Sequence, residues 1–499
     1  MGNLLGAPVT EKETHRGESS DGLKWGVTSM QGWRVHMEDA HVAETRMYAA
    51  EPESTIPSNT ANNNNNNNSS TGGDGGGAAD DNESTTPRTT YRHIDLPGHS
   101  IFAVFDGHGG TFAAMYAGRN LCRVLSRQPK FVQYAKFMEE RSEKEKLLTK
   151  SRERVQYITT GLEYIEGALR DTFVELDREI AAALQGSKIP DADQPYHKDT
   201  VVGGAAHGVQ DMDATSADGG GGGNATSEAD STLQLLEKEG DSGTTACVVI
   251  IAPQWVVCAN AGDSRSVFSK HGNKAVPLSY DHKPDDEEEE RRIRAAGGYV
   301  AGGRVEGDLA VSRGLGDFRF KNMQTVLAGA NSASKDDKQN NSGTVEPDDQ
   351  KVSPVPDVII QNRSADKDEF IIVACDGIWD VQTNHEAVKS VAEMFEEGET
   401  DLGLICEEVS KRILSLLVLC FIDLFFLRVV VTQPLLSLQF SNQKLCDNGL
   451  SMGSKDNMTA IVVKFEGQQV GTGGGIRARR QLRQSADPND NNSADDEQS

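Results

Sequence analysis

The chain lacks paired cysteines, a basic charge balance and an apolar leader. Its 499 residues hold seven cysteines, odd in number and scattered, with no CxxC pair, which excludes a disulfide framework and a cysteine zinc knuckle. A formal charge of −26 removes the electrostatic footprint that nucleic acid or an anionic bilayer demands of its main partner. No apolar h-region follows the opening MGNLLGAPVT, so no secretory signal is read there and a reducing cytoplasmic or nuclear setting is expected. Gly2 is compatible with N-myristoylation and hence with weak peripheral membrane association, although Gly6 stands where that pattern has Ser or Thr.

What the chain does have is a recurring strand end that carries a carboxylate. In IFAVFDGHGG, residues 101–110, five apolar residues run without a polar break, as in a strand covered on both faces. Asp106 ends the run, Gly107, Gly109 and Gly110 let the backbone approach a cation closely, and His108 titrates near neutral pH. The order recurs in VVCANAGDSR with Asp263 and in FIIVACDGIWD with Asp376 and Asp380, while Asp456 immediately precedes the strand in GSKDNMTAIVVKF. Carboxylates at strand ends of one sheet system converge on one rim, where they raise each other's pKa unless a cation neutralises them. Oxygen ligands without His or Cys favour Mg²⁺ or Mn²⁺ over zinc.

Upstream, LKWGVTSMQGWRVHMEDAHVA reads as a strand leading to Arg34, whose fork suits a phosphate oxyanion, and to Glu38 and Asp39, which can hold a metal directly or through its waters. Helices are expected over 111–125 and through most of 131–184, and a Pro-started helix over 285–296, closed by Gly297 and Gly298, with its acid run 285–290 a solvated first turn. Disordered insertions are expected at about 51–90, which includes seven consecutive Asn, at 189–229 and at 322–352. Residues 1–22 read as a separate N-terminal segment and 467–499 as a disordered tail.

RVHMEDA, VFDGHGG, SGTTA, ANAGDSR, DHKP, AGG, RVEGDLAVSRGLGD, VACDGIWDV and KDNMTAIVVKF occur in the order found in the metal-dependent serine/threonine protein phosphatases, the PPM or type 2C family, which the chain resembles over most of 23–466. The resemblance implies an α+β fold, a central sandwich of two antiparallel β-sheets flanked by helices in α-β-β-α layers, with a metal centre at one end. It implies that Asp106, the Gly107 carbonyl, Asp376 and Asp456 bind two Mg²⁺ or Mn²⁺ ions, with Glu38 and Asp39 reached through metal-bound water. Asp263 and Asp380, with Asp376, match a weaker third site; Arg34 matches the phosphate-binding arginine, His108 the general acid, and Thr245 the hydroxyl residue of the SGTTA strand. The implied reaction is hydrolysis of phosphoserine and phosphothreonine in phosphoprotein substrates by a hydroxide shared between the two metals. A monomer is expected. The alternative is a catalytically impaired relative that binds partners, but no metal carboxylate of the pattern is missing. A two-metal nuclease would need the basic surface that this chain lacks.

Residues 410–445 depart from the family. Their apolar part, ILSLLVLCFIDLFFLRVVV, has the length of a membrane span, yet carries Asp423 and Arg428, each costing roughly 2.5–3.5 kcal/mol at a bilayer centre. A crossing there would also put Asp376 and Asp456 on opposite sides of the membrane, so no transmembrane anchor is expected. A continuing helix is opposed by Pro434 and the β-branched run 429–432. Without the block, family spacing to Asp456 is restored; the block of 36 residues is therefore expected to be an unspliced intron, since Val409-Ser410 can be encoded by a 5′ splice-site sequence.

Overall fold

The computed structural model describes residues 4–56, 88–192, 196–204, 241–328, 345–411 and 453–486. Most of the apolar block, from residue 412, and the bulk of each expected insertion lie outside the described residues. Two six-stranded antiparallel sheets are stacked. One runs Leu4–Glu18, Lys24–Arg34, Met458–Lys464, Asp368–Ala374, Arg265–Lys270, Lys274–Pro277; the other runs Asp357–Asn362, Trp255–Ala261, Ala246–Ile251, Ser100–Phe105, Ala40–Glu44, Val201–Gly204.

Alternation along each strand divides the apolar side chains into three layers. Phe102, Val104, Val249 and Cys258 of one sheet meet Val27, Phe268, Ile371 and Ile461 of the other between the sheets. The opposite face of the first group's strands (Ile101, Ala103, Phe105, Val248, Val257) packs on helices Phe112–Ser126, Pro129–Leu147 and Ser151–Leu184. The outer face of the second sheet (Val267, Phe370, Ile372, Val462) packs on helix Asn384–Glu396 and the helical stretch 402–411. IFAVF is thus buried on both faces, as its unbroken run requires. The α-β-β-α layering agrees with the expectation. Among the described residues no helix is long and apolar enough to cross a membrane, and the five described cysteines are free and buried.

The segments read as peripheral need correction. The N-terminal segment is largely strand: Leu4–Glu18 pairs with Lys24–Arg34 at the edge of its sheet. The supposed tail contributes helix Gly475–Ala486, which seats a fully buried Ile476 and sets Arg479 on Glu397 and Glu408 and Arg480 on Glu408. The edges of the insertions are ordered as well, forming the hairpin Met47–Ile56 with Arg88–Leu96, the edge strand Val201–Gly204 and helix Met323–Ala328.

The acid-rich helix spans Glu287–Ala295 and ends in the expected glycine cap, with the Gly298 N–H donating to the Ile293 carbonyl. Its acid run is not wholly solvated. Glu289 is buried, accepts from Arg292, Ser312 and Arg313, and so anchors the residues leading to the strand Leu315–Gly316. Burial alone would raise its pKa, but the hydrogen bond and charge of Arg313, with Arg292 and Ser312, hold it down at about 2. Glu289→Ala is expected to cost about 3–5 kcal/mol in a urea melt, because Arg292 loses its ion-pair partner and Arg313 is left with Asp357 alone. The folded-state pKa lies below the usual 4.5, so this stability is present above pH 4.5 and lost as pH falls toward 2; the variant's melt should lack that share of the acid sensitivity.

Candidate metal centre

Three strand ends bring their carboxylates to one place. Asp106 follows Ser100–Phe105, Asp263 follows Trp255–Ala261, and Asp376 follows Asp368–Ala374 and opens a one-turn helix. One oxygen from each lies within 4.8 Å of the others. Asp39, the residue before strand Ala40–Glu44, is fully buried, and an oxygen of it lies within 4.8 Å of Asp106 and of the Cys375 sulfur. Asp456 precedes Met458–Lys464 and is ion-paired with Arg34, which ends Lys24–Arg34. Asp263 is paired with Lys283 of the DHKP segment.

The backbone at this rim admits no larger residues. A Cβ on Gly107 would lie 2.2 Å from the Glu38 carbonyl oxygen, and one on Gly377 would lie 1.9 Å from the Asn457 oxygen. Asp106 is held by the SGTTA strand: its N–H donates to Thr245 Oγ1 at 3.2 Å and its carbonyl accepts from Thr244 Oγ1 at 3.1 Å. The Thr245 hydroxyl therefore orients Asp106. Glu38 accepts from the Gly110 N–H at 2.8 Å, while its own N–H donates to Asn457 Oδ1 at 2.9 Å. Glu38 thus braces the DGHGG turn.

The electrostatics are unfavourable as the side chains stand. Burial pushes the Asp106 carboxyl well above the usual carboxylate range, and Asp376, Asp39, Asp456 and Asp263 push the same way. Asp376 is raised well above that range by burial and then by Asp263, Asp456 and Asp380. Asp39 is pushed up to about 7 by burial, with Asp456 adding and the Thr459 hydroxyl opposing. Asp380 is raised by burial, partly offset by Lys283. Asp39 Oδ1 and Asp376 Oδ1 are buried without a hydrogen-bond partner. Orphaned carboxylate oxygens among like charges fit a hard divalent cation, for which oxygen is the preferred ligand.

Beside the cluster, a small three-stranded sheet of Leu315–Gly316, Gly243–Thr244 and Gly107–His108 carries a second constellation. His108 Nε2–H donates to Asp317 Oδ1 at 2.9 Å, and Asp317 is 3 % exposed. Gly243 lies close against both; a Cβ there would come 2.3 Å from Asp317 Oδ2 and 2.5 Å from His108 Nε2. Burial pulls the His108 pKa down, but the charge and hydrogen bond of Asp317 outweigh it and the net shift is upward. The sequence alone assigns no role to Asp317, Lys283, Asn457 or Thr459. Asp317 and Lys283 stand inside the GLGD and DHKP motifs, and Asp317 adopts a left-handed φ of 55°, but their partners are remote in sequence.

A family model described as Protein phosphatase 2C matches residues 215–417. Protein phosphatase 2C homolog 2 of Hypocrea jecorina is 32% identical over 415 residues, covering 83% of this chain and 63% of that protein. A probable protein phosphatase 2C of Caenorhabditis elegans is 32% identical over 83% of this chain and 75% of its own length. Protein phosphatase 2C homolog 2 of Schizosaccharomyces pombe is 30% identical over 93% of this chain and 79% of its own length. The chain spans 63–65% of the length of several curated relatives that it matches. With this identity sustained across three quarters or more of two relatives, the chain belongs to the protein phosphatase 2C family.

Proposed function

We propose that this chain is a metal-dependent hydrolase of phosphoserine and phosphothreonine in proteins, acting without a covalent enzyme intermediate. The observation that carries the reading is the cluster of buried Asp263 with half-buried Asp106 and Asp376, together with the partnerless oxygens of Asp39 and Asp376, beside an arginine and a histidine of the right chemistry. Asp106, the Gly107 carbonyl, Asp376 and Asp456 would hold two Mg²⁺ or Mn²⁺ ions, Glu38 and Asp39 would act through metal-bound water, and Asp263 and Asp380 would complete a weaker third site with Asp376. When bound, the cations supply neutralisation of this charge and acidification of water for in-line attack on phosphorus.

The chain's own residues do the rest. Arg34 rests on Asp456 and can turn its fork to the equatorial oxygens of a phosphoryl group. The Asp317 carboxylate engages His108 Nε2–H, so in the imidazolium the Nδ1–H is the proton available to the departing serine or threonine alkoxide. Asp317 acts as a positioning residue that keeps this imidazolium populated. The reading implies phosphoprotein substrates, a monomer, and a cytoplasmic or nuclear location, with peripheral membrane association if Gly2 is acylated. Phosphate release from a phosphothreonine peptide, with and without EDTA, tests it: release abolished by EDTA and restored by Mn²⁺ is expected, and EDTA-insensitive release would contradict it.

A further inference from the structure

In a cluster that shares no residue with the carboxylate centre, Glu13 and His15 of the edge strand Leu4–Glu18 meet His41 of the strand Ala40–Glu44, across the gap between the two sheets. One carboxylate oxygen and one nitrogen of each imidazole lie within 4.8 Å of one another. His15 Nε2 is 2.9 Å from Glu13 Oε1, and the other Glu13 oxygen accepts from the Gly204 N–H at 3.0 Å. Gly203 leaves room for the group; a Cβ there would lie 2.4 Å from Glu13 Oε1 and 2.7 Å from His41 Nε2.

The tautomer of His41 follows from a chain of hydrogen bonds. Thr459 Oγ1 donates to Asp39 Oδ2 at 2.7 Å, so its oxygen accepts from the Ser29 hydroxyl at 3.1 Å. The Ser29 oxygen then accepts from His41 Nδ1–H at 3.0 Å. With Asp39 ionised, this chain assigns the ring proton to Nδ1 and leaves the lone pair on Nε2. That Nε2 is fully buried and has no hydrogen-bond partner, and it faces Glu13 and His15. An imidazole whose second nitrogen is fixed by an outer hydrogen bond while the first presents a bare lone pair is how proteins orient a metal ligand.

We propose that Glu13, His15 and His41 form a second metal site, for Zn²⁺ or a similar borderline transition ion, distinct from the carboxylate centre. Two imidazoles and one carboxylate suit Zn²⁺, with water in the fourth position, and disfavour Mg²⁺. The site joins an edge strand of one sheet to the other sheet, so its occupancy staples the N-terminal strand to the sandwich.

The test titrates Zn²⁺, and Co²⁺ as its spectroscopic stand-in, into the full chain kept in excess Mg²⁺. Expected are one Zn²⁺ bound per chain, a raised melting temperature, and for Co²⁺ the intense visible absorption of a four-coordinate site with nitrogen ligands. His15→Ala and Glu13→Gln, both on a partly exposed edge strand, should weaken binding at least about tenfold and lose the Co²⁺ band, while Asp376→Asn keeps both. Unchanged Zn²⁺ affinity in His15→Ala and Glu13→Gln, with their native circular dichroism, would overturn the proposal. So would binding lost in Asp376→Asn or absent in the wild-type chain.

Discussion

Asp376→Asn is expected to lower turnover of a phosphothreonine peptide by on the order of 10³-fold at saturating Mn²⁺, since several kcal/mol of metal-derived stabilisation depend on an intact ligand set. The same substitution should raise the melting temperature of the metal-free chain. Asp376 is half-buried with its Oδ1 enclosed, and desolvation, then Asp263, Asp456 and Asp380, hold its carboxyl well above the usual range, so its ionised form opposes folding, and a neutral amide of the same shape removes that opposition. Loss of activity together with gain of metal-free stability separates a ligand from a merely structural residue. The pH dependence has a definite sign. Carboxyls whose folded pKa is raised contribute stability that is present below their unfolded value near 3.8 and is lost as pH rises through the folded value, about 7 for Asp39. Metal-free protein should therefore lose stability from pH 4 toward 7 on this account. The increment added by Mg²⁺ or Mn²⁺ should grow over the same interval, because the ligands must be deprotonated to bind. Full activity in Asp376→Asn, or a drop in its metal-free melting temperature, would contradict the assignment.

His108→Ala should cost about 10²–10⁴-fold on the phosphopeptide, the usual range for a lost general acid, and much less on p-nitrophenyl phosphate, whose phenolate departs without a proton. Asp317→Asn adds a pH signature. His108 must be protonated to act, Asp317 raises its pKa, and activity therefore falls as pH climbs through that raised value. Without the Asp317 charge the falling limb should move to lower pH, while activity on p-nitrophenyl phosphate changes little. Equal losses on both substrates, or an unmoved limb, would remove His108 from the proton transfer.

The sequence showed most of what lies within a strand and its end. Phe102 and Val104 facing one way and Ile101, Ala103 and Phe105 the other is what an unbroken apolar run demands, and Asp106, Asp263 and Asp376 sit where the strands stop. What could not be read is pairing at a distance. The His108–Asp317 contact spans 209 residues, and Glu289 is buried only because Arg292 and Arg313 close over it. Helix Gly475–Ala486 reads as tail in sequence because IRARRQLRQ is polar almost throughout; its order rests on one buried apolar residue, Ile476, and on acids at 397 and 408. The edge strand Leu4–Glu18 was missed for the same reason: only its partners make a polar stretch a strand. The helical stretch 402–411 shows Ser410 and Lys411 continuing a packed helix, whereas the rest of the apolar block lies outside the described residues.

Hydrolysis of phosphoserine and phosphothreonine is expected to depend on the one carboxylate centre and its cations. The most direct measurement is phosphate release from a phosphothreonine peptide by the full chain and by the chain lacking residues 410–445, each with EDTA and with added Mn²⁺. The expected result is metal-dependent release by the shorter, soluble chain, with the full chain aggregating or less active because of its apolar block. A folded shorter chain that binds Mn²⁺ yet releases no phosphate, or releases it equally in EDTA, would contradict the account.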